Sequence, residues 1–133
     1  LPTVMVIECL KEIVDWDSPN LFRYVGEKEY ESIMEKGYVK SINPKGTYWT
    51  TLLTENPQCA KQLLKLLREV KYRVAGPVYS DTLKCILFKP LDYEEEPIPH
   101  RESGVGITVT AVIIRKPLPP ASIFDMVNKS LIA

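Results

Sequence analysis

The segment from Leu21 to Thr51 is the clearest guide to the fold and contains LFRYV (21–25), GEKEYESIMEKG (26–37) and, after a turn, KGTYWTT (45–51). The first and third segments are rich in the aromatic and branched side chains that strands favour. In the second, apolar residues recur at helical spacing, and Gly37 stands where a left-handed residue ends a helix. The sequence therefore predicts a strand, a helix over Lys28–Lys36 and a second strand.

Downstream of this stretch, local signals predict one more helix and a mainly β second half. Asn56 and Pro57 are typical of an N-cap and a first helical residue, and leucines at helical spacing extend the pattern to about Glu69. Beyond Glu69, runs of β-branched and aromatic residues are bounded by Gly and Pro, as expected of strands. The predicted strands are Tyr72–Val74, Val78–Tyr79, Leu83–Phe88 and Ile107–Ile114.

The remaining segments are interpreted by the same rules. Thr3–Trp16 has apolar residues at helical spacing, which predicts an amphipathic helix followed by a turn. The acidic stretch DYEEEPIPHRESGVG (92–106) is predicted to be a loop, either functional or simply solvated. The tail PLPPASIFDMV (117–127) is expected to start as extended proline-rich backbone and to close with one helical turn.

Length and charge favour one small domain. The 133 residues suffice for a single core. We divide them into an N-terminal helix and turn (1–20), a core (21–124) and a tail (125–133). Lys and Arg number 17, as do Asp and Glu, so no net charge draws the protein to nucleic acid or to an anionic membrane. Neither an apolar run of roughly 20 residues nor a signal-peptide pattern is present, so we expect a soluble, cytoplasmic protein without membrane association.

The cysteines and the histidine do not signal a metal site. Cys9, Cys59 and Cys85 are odd in number, widely spaced and set among apolar residues, which favours reduced thiols in the core. His100 is the only histidine, and no nucleophile pattern accompanies it. We therefore expect no disulfide framework and no metal cofactor.

Arg23 is the first candidate for a functional side chain. Strand alternation puts it on the face of Leu21 and Val25, opposite Phe22 and Tyr24. A cation on an apolar face needs a partner, and two interpretations are open. Its planar guanidinium binds an anionic ligand, or it pairs with a carboxylate of a neighbouring strand or reaches water at a sheet edge.

The strand with Arg23, the helix closed by Gly37 and the strand TYWTT (47–51) together resemble the amino-terminal half of the ADP-ribosyltransferase fold. In that family a strand carrying Arg or His precedes a helix, a glycine and a strand reading aromatic-x-Ser/Thr. The resemblance extends over about residues 21–124, and its specific motifs lie at 21–51. It implies an α+β fold with a split, twisted, mainly antiparallel β core and packed helices.

The same resemblance implies a function, the transfer of ADP-ribose from NAD to a macromolecular target, most simply a protein. Arg23 would contact the phosphates or ribose of NAD, and Tyr48 and Thr50 would line the nicotinamide pocket. The family supplies a glutamate at or before a late strand, where it stabilises an oxocarbenium-like transition state. Here the late strand GVGITVTAVII (104–114) has no carboxylate, so Glu102 is the candidate catalytic residue, with Glu94–Glu96 further upstream.

Two other functions are compatible with these residues. The missing late-strand carboxylate favours a catalytically inactive module of the same fold that binds a protein or a nucleotide. Alternatively, the chain is an unrelated small α+β regulatory or structural protein, in which Trp16, Trp49 and the proline-rich tail form a core or an assembly surface. Binding of NAD, with or without turnover, distinguishes these possibilities.

Overall fold

The computed structural model describes residues 8–99 and 108–132. The strands are β1 (Ile13–Asp15), β2 (Asn20–Val25), β3 (Thr47–Thr50), β4 (Leu53–Thr54), β5 (Tyr72–Val78), β6 (Tyr93–Pro99), β7 (Thr108–Ile114), β8 (Ser122–Asp125) and β9 (Ser130–Leu131). The helices are α1 (Glu27–Lys36), α2 (Pro57–Leu63) and α3 (Asp81–Leu87), and residues 8–10 are also helical. A seven-stranded sheet has the order β6-β7-β3-β2-β5-β8-β9, and β1 pairs with β4. All named pairings are antiparallel, so the predicted α+β class is confirmed.

The central part of the fold follows the prediction closely. β2, α1 and β3 occupy the three segments that the sequence assigns to them. Gly37 follows α1 with a φ of 79°, and its N–H donates to the carbonyl of Ile33 at 2.8 Å. Glycine suits this position because a Cβ disfavours the left-handed conformation.

Both faces of the sheet are buried. Leu21 and Val25 of β2 pack with Trp49 on the face that α1 covers. Phe22 and Tyr24 belong to a second cluster, on the face that α2 covers. The alternation predicted for β2 is therefore confirmed, and Trp49 is a core residue.

The predicted helix over Thr3–Trp16 is wrong in its second half, and residues 3–7 lie outside the described ranges. Ile13–Asp15 forms β1 and pairs with β4, with Ile13 opposite Thr54. The hydroxyl of Thr54 also donates to the carbonyl of Glu12 at 2.9 Å. These contacts with a distant segment satisfy backbone groups that the helix would have paired locally.

The strand predicted at Leu83–Phe88 is also wrong, because this segment lies mostly in α3. Ser80 caps the helix, its hydroxyl accepting from the backbone N–H of Leu83 at 3.3 Å. No residue of α3 is buried, so its apolar residues do not form the buried strand that their run suggested. The N-cap is the local signal that favours the helix.

Helix α2 begins as predicted and ends early. The side chain of Asn56 accepts from the N–H groups of Gln58 and Cys59 at 3.0 and 3.1 Å. The helix stops at Leu63 rather than near Glu69. Shortly after it, Lys65 has a φ of 54°, a left-handed conformation that turns the chain away from the helical path.

The second half contains more strand than the sequence predicts. β5 is continuous through Gly76, where an added Cβ would lie 2.8 Å from Cζ3 of Trp49. Tyr93–Pro99, predicted as loop, is strand β6 and pairs with β7 along its whole length. The tail forms β8 and β9 joined by a turn in place of the predicted helical turn, because Asp125 accepts from the backbone N–H groups of Val127 and Asn128.

The expectation of three reduced core thiols is wrong. Cys9 and Cys59 form a disulfide with a Cα–Cα distance of 5.3 Å, and Cys85 is free but exposed. The two bonded residues are 50 positions apart, and the fold brings them together by packing residues 8–10 against α2. The wide spacing of the two cysteines along the chain therefore led to a wrong prediction.

Among the described helices, none has the length and apolar character needed to cross a bilayer.

Candidate functional site

The candidate site lies where the central sheet is least continuous, between β2 and β3. In the described ranges these strands share one register position, Phe22 opposite Thr50, whereas β2 pairs with β5 at five positions. Beyond that point, two backbone carbonyls at the gap, those of Tyr24 and Tyr48, accept hydrogen bonds from arginine side chains. We call this gap the β2–β3 cleft.

Arg23 occupies one side of the β2–β3 cleft. Its side chain is only 6% exposed and forms a two-pronged ion pair with Glu29 of α1, with Nε to Oε2 at 2.6 Å and Nη2 to Oε1 at 2.9 Å. Nη1 donates to the carbonyl of Tyr48 at 2.7 Å. The partner is thus a helix carboxylate rather than one on a neighbouring strand, and it fixes the plane of the guanidinium.

Arg68 approaches the same cleft from the segment after α2. Its Nε and Nη2 donate to the carbonyl of Tyr24 at 3.1 and 2.9 Å. Burial, and then the nearby charge of Arg23, lower the pKa of Arg68 to about 10, while Glu29 acts in the opposite direction. Within the described residues no carboxylate forms an ion pair with Arg68, which stays protonated at neutral pH.

The β2–β3 cleft encloses a cavity of about 350 Å³. This volume lies at the lower end of small-molecule binding sites. Apolar side chains form much of the wall, and the residues that could contact a polar ligand are Arg23, Ser41, Asn43, Tyr48, Thr50, Lys65 and Arg68. Two arginines and a lysine therefore face one cavity, and Glu29 is the only carboxylate bonded to any of the three in the described part of the chain.

Three of the four sequence-predicted site residues, Arg23, Tyr48 and Thr50, line this one cavity. Thr50 is the most constrained, because its hydroxyl donates to the carbonyl of Thr110 at 2.8 Å and accepts from the N–H of Leu52 at 3.1 Å. Its proton is therefore used, and it can offer a ligand only a lone pair. The fourth, Glu102, lies outside the described residues, as does His100.

The upstream glutamates are placed elsewhere. Glu94 pairs with Arg115 at 3.0 Å, and Glu95 accepts from Tyr79 and Lys84 at 3.0 and 3.2 Å. None of Glu94–Glu96 lines the cavity of the β2–β3 cleft. Glu94 and Glu95 are therefore bonded away from this cavity, and Glu96 lies opposite Ala111, a lining residue, without lining the cavity itself.

Tyr24 connects the cleft to the segment that follows β3. Its phenol donates to the carbonyl of Leu52 at 2.7 Å and accepts from the N–H of Thr54 at 3.0 Å. Burial raises the pKa of Tyr24 above its usual range, so the phenol is neutral at any ordinary pH. The phenol of Tyr24 thus holds the segment after β3, and its carbonyl holds the Arg68 side chain at the cleft.

Sequence reasoning missed Arg68 and Lys65. Both fall in the segment predicted as the end of a helix, where charged residues are normally on the solvated face. Only the early end of α2 directs them to the cleft.

As for metals, the described residues contain no group of three or more His, Cys, Asp or Glu side chains able to hold an ion. Comparison of the chain with protein-family models, with curated proteins and with solved structures gave no match.

Proposed function

We propose that the β2–β3 cleft binds NAD and that the protein transfers ADP-ribose from it to a macromolecular target, as the resemblance to ADP-ribosyltransferases implies. The observation that carries the proposal is the pair Arg23 and Arg68, which share one cavity with a single bonded carboxylate, Glu29. A buried or half-buried cation without a counter-ion is unfavourable, and a bound anion offsets that penalty. A discontinuous sheet with an arginine at the gap also fits the split β core expected of that family.

The hydrogen-bonding capacity of the two arginines supports a diphosphate as the anion. A guanidinium has five N–H donors. Arg23 uses three of them on Glu29 and Tyr48, and Arg68 uses two on Tyr24. Five N–H groups remain for a ligand, and planar guanidinium groups are suited to bind pairs of phosphate oxygens.

In the proposed reaction the bond between the ribose C1′ and nicotinamide breaks, and nicotinamide leaves with the bonding electrons. A nucleophilic atom of the target then bonds to C1′ and loses its proton to solvent. The arginines hold the diphosphate while positive charge develops on the ribose. Glu102 is the residue that we propose to stabilise that charge.

Binding is tested by titrating the protein with NAD in a calorimeter and comparing Arg68→Gln with Lys89→Gln. Both variants lose one positive charge, but Lys89 is exposed and does not line the cavity. Loss of a charged hydrogen-bond donor weakens binding roughly 10- to 100-fold, so Arg68→Gln should bind NAD that much more weakly and Lys89→Gln should not. Equal affinities in the two variants would rule out the cleft as the site.

Turnover is tested with NAD labelled in its adenylate part and a cell extract as the source of targets. We expect labelled macromolecules and free nicotinamide, and we expect Glu102→Gln to lower both by at least about a hundredfold. Glu35→Gln provides the matched control, since Glu35 is exposed on α1 and does not line the cleft. No product at high protein concentration would count against transfer.

A catalytically inactive nucleotide-binding module is the second candidate. It is favoured by one observation, that the described residues lining the cavity include no Asp or Glu. NAD binding that requires Arg68, without release of nicotinamide, would establish this alternative. A protein that does not bind NAD at all would instead support an unrelated interaction domain.

A further inference from the structure

Two residues other than glycine have a positive φ within residues 8–99 and 108–132, and both are lysines. Lys65, which follows helix α2, has a φ of 54°, and Lys129, in the turn between β8 and β9, has a φ of 56°. Glycine is the usual residue in this left-handed conformation, because a Cβ crowds the backbone there. A lysine at either position therefore lowers stability relative to glycine unless its side chain makes a compensating contact.

Lys65 occupies the glycine position of a Schellman motif at the end of α2. The N–H of Leu66 donates to the carbonyl of Lys61 at 2.9 Å. The N–H of Lys65 donates to the carbonyl of Gln62 at 3.3 Å. These bonds satisfy carbonyls that the end of a helix leaves free, and the left-handed residue of the motif is most often glycine, as Gly37 is after α1. The backbone at this turn thus favours glycine and gives no reason for a lysine.

The side chains of the two lysines differ in what they contact. The ammonium of Lys129 donates to the carbonyl of Glu55, a bond that joins the β8–β9 turn to the segment before α2. In the part of the chain that the structure describes, the ammonium of Lys65 makes neither a hydrogen bond nor an ion pair. Lys65 is exposed and lines the cavity of the β2–β3 cleft. A contact within the chain therefore accounts for Lys129, and none among the described residues accounts for Lys65.

The charge of Lys65 adds to that of the β2–β3 cleft. Three positive charges, those of Arg23, Lys65 and Arg68, line the cavity, and one negative charge, that of Glu29, is bonded to Arg23. The group therefore has two positive charges in excess, and it would have one without Lys65. A diphosphate esterified at both ends, as in NAD, has two negative charges. The flexible four-carbon stem of a lysine allows its ammonium to reach a phosphate oxygen from the edge of the cavity.

We propose that Lys65 binds the diphosphate of the ligand in the β2–β3 cleft, and that this contact is the reason for a lysine at a position that favours glycine. The inference rests on the proposed function, since it takes the diphosphate diester of NAD as the ligand. Arg23 and Arg68 are held in place by hydrogen bonds within the protein, whereas Lys65 donates from the exposed side of the cavity. Strained residues persist where they serve binding, at the expense of stability.

ADP-ribose is the probe for calorimetric titration, because it has the diphosphate of NAD and no nicotinamide to release. We expect Lys65→Gly to bind it about tenfold more weakly than the natural protein does, and Lys65→Arg, which keeps the positive charge, to bind it within about twofold. Lys129→Gly is the matched control. It removes the same charge from the same backbone conformation away from the cavity, and it should bind ADP-ribose as the natural protein does.

Thermal unfolding of the same variants measures the strain at Lys65. The midpoint of Lys65→Gly should be unchanged or higher, by up to about 4 °C, because glycine relieves the crowding of the Cβ but also makes the unfolded chain more flexible. Weaker binding in this variant then cannot be attributed to unfolding. A midpoint that falls in Lys65→Gly would overturn the proposal, because the lysine would then stabilise the fold through a contact of its own.

Inorganic pyrophosphate, as a second probe, separates this inference from the proposed function. If ADP-ribose binds equally to the natural protein and to Lys65→Gly, the role of Lys65 is overturned and the NAD site is not. If pyrophosphate binds in a way that requires Lys65 while NAD and ADP-ribose do not bind, NAD is the wrong ligand and the role of Lys65 in binding a diphosphate stands. If neither probe binds to the natural protein, the role of Lys65 is overturned together with the NAD site.

Discussion

The two sides of strand β2 are held by different interactions. Toward β5, β2 pairs at five register positions, and the apolar packing across it is tight enough that a Cβ added at Gly76 would lie 2.8 Å from the ring of Trp49. Toward β3, it pairs at one position, and Arg23 and Arg68 supply hydrogen bonds to backbone carbonyls there. Continuous backbone hydrogen bonds between β2 and β5 leave no space between the two strands. Between β2 and β3, charged arginine side chains replace most of these backbone bonds, and a cavity is left beside them. The weaker of the two sides is therefore the one suited to a ligand.

The largest expected effect is on the β3 side. Arg23→Leu leaves Glu29 without its partner and the carbonyl of Tyr48 without its donor, which should lower the free energy of unfolding by about 3 kcal/mol. Denaturant titration of the variant measures this loss. Arg115→Leu is the control, since its ion pair with Glu94 is exposed and should contribute only about 0–1 kcal/mol.

A second variant separates the ion pair from the packing around it. Replacing both Arg23 and Glu29 by leucine removes the two charges together, and apolar replacements of buried ion pairs are often neutral. We expect the double variant to be more stable than Arg23→Leu alone. Equal losses in Arg23→Leu and Arg115→Leu would show that the β2–β3 cleft does not depend on this pair.

An intermediate effect is expected on the β5 side. Gly76→Ala places a methyl group 2.8 Å from Cζ3 of Trp49, and overpacking of this kind costs about 2 kcal/mol. The thermal unfolding midpoint should fall, and the near-ultraviolet circular dichroism of the buried Trp49 should change. Gly37→Ala serves for comparison, because an added Cβ there meets nothing within 4 Å and the loss comes only from its left-handed backbone. An unchanged tryptophan signal in Gly76→Ala would contradict the tight packing across β2.

The smallest effect concerns pH. The pKa of Arg68 is lowered to about 10 in the folded protein from 12.5, so above pH 10 the unfolded chain binds more protons at this group. Stability then rises with pH at this residue, because the penalty for the half-buried cation is complete below pH 10 and is relieved as the pH rises through it. The stability of the natural protein relative to Arg68→Gln should increase by about 1 kcal/mol between pH 9 and pH 11. If the difference in unfolding free energy between the two proteins stays constant or decreases over this pH range, the Arg68 side chain lies in water rather than in the cleft.

The predictable part of the fold rests on signals that are complete within a few residues. The alternation of Leu21–Val25, the glycine at position 37 and the Asn56–Pro57 pair each determine a local conformation, and the structure confirms all three. Arg23 was recognised for the same reason, since a cation within an apolar strand is unusual wherever it occurs. The identity of its partner, Glu29, could not be predicted because it depends on how α1 packs on β2.

Other features had a misleading local signal or none. α3 was mistaken for a strand because its apolar run resembles one, and only the cap at Ser80 indicates a helix. The Cys9–Cys59 disulfide was missed because 50 residues separate its ends, and Arg68 because the predicted helix continued past Leu63. The disulfide and the placement of Arg68 both concern contacts between segments that are distant in the chain.

Propensity, capping and alternation act over short distances, so they suffice to predict the α+β class, the central strand–helix–strand unit and three residues that line one cavity. Which strands pair fully and which do not depends instead on the folded arrangement of the whole chain. That pairing depends on the sum of many packing contacts, and it brings Arg68 beside Arg23 at the β2–β3 cleft. The placement of charge next to open space, on which the proposed NAD site depends, is thus a property of the folded chain and not of any segment of it.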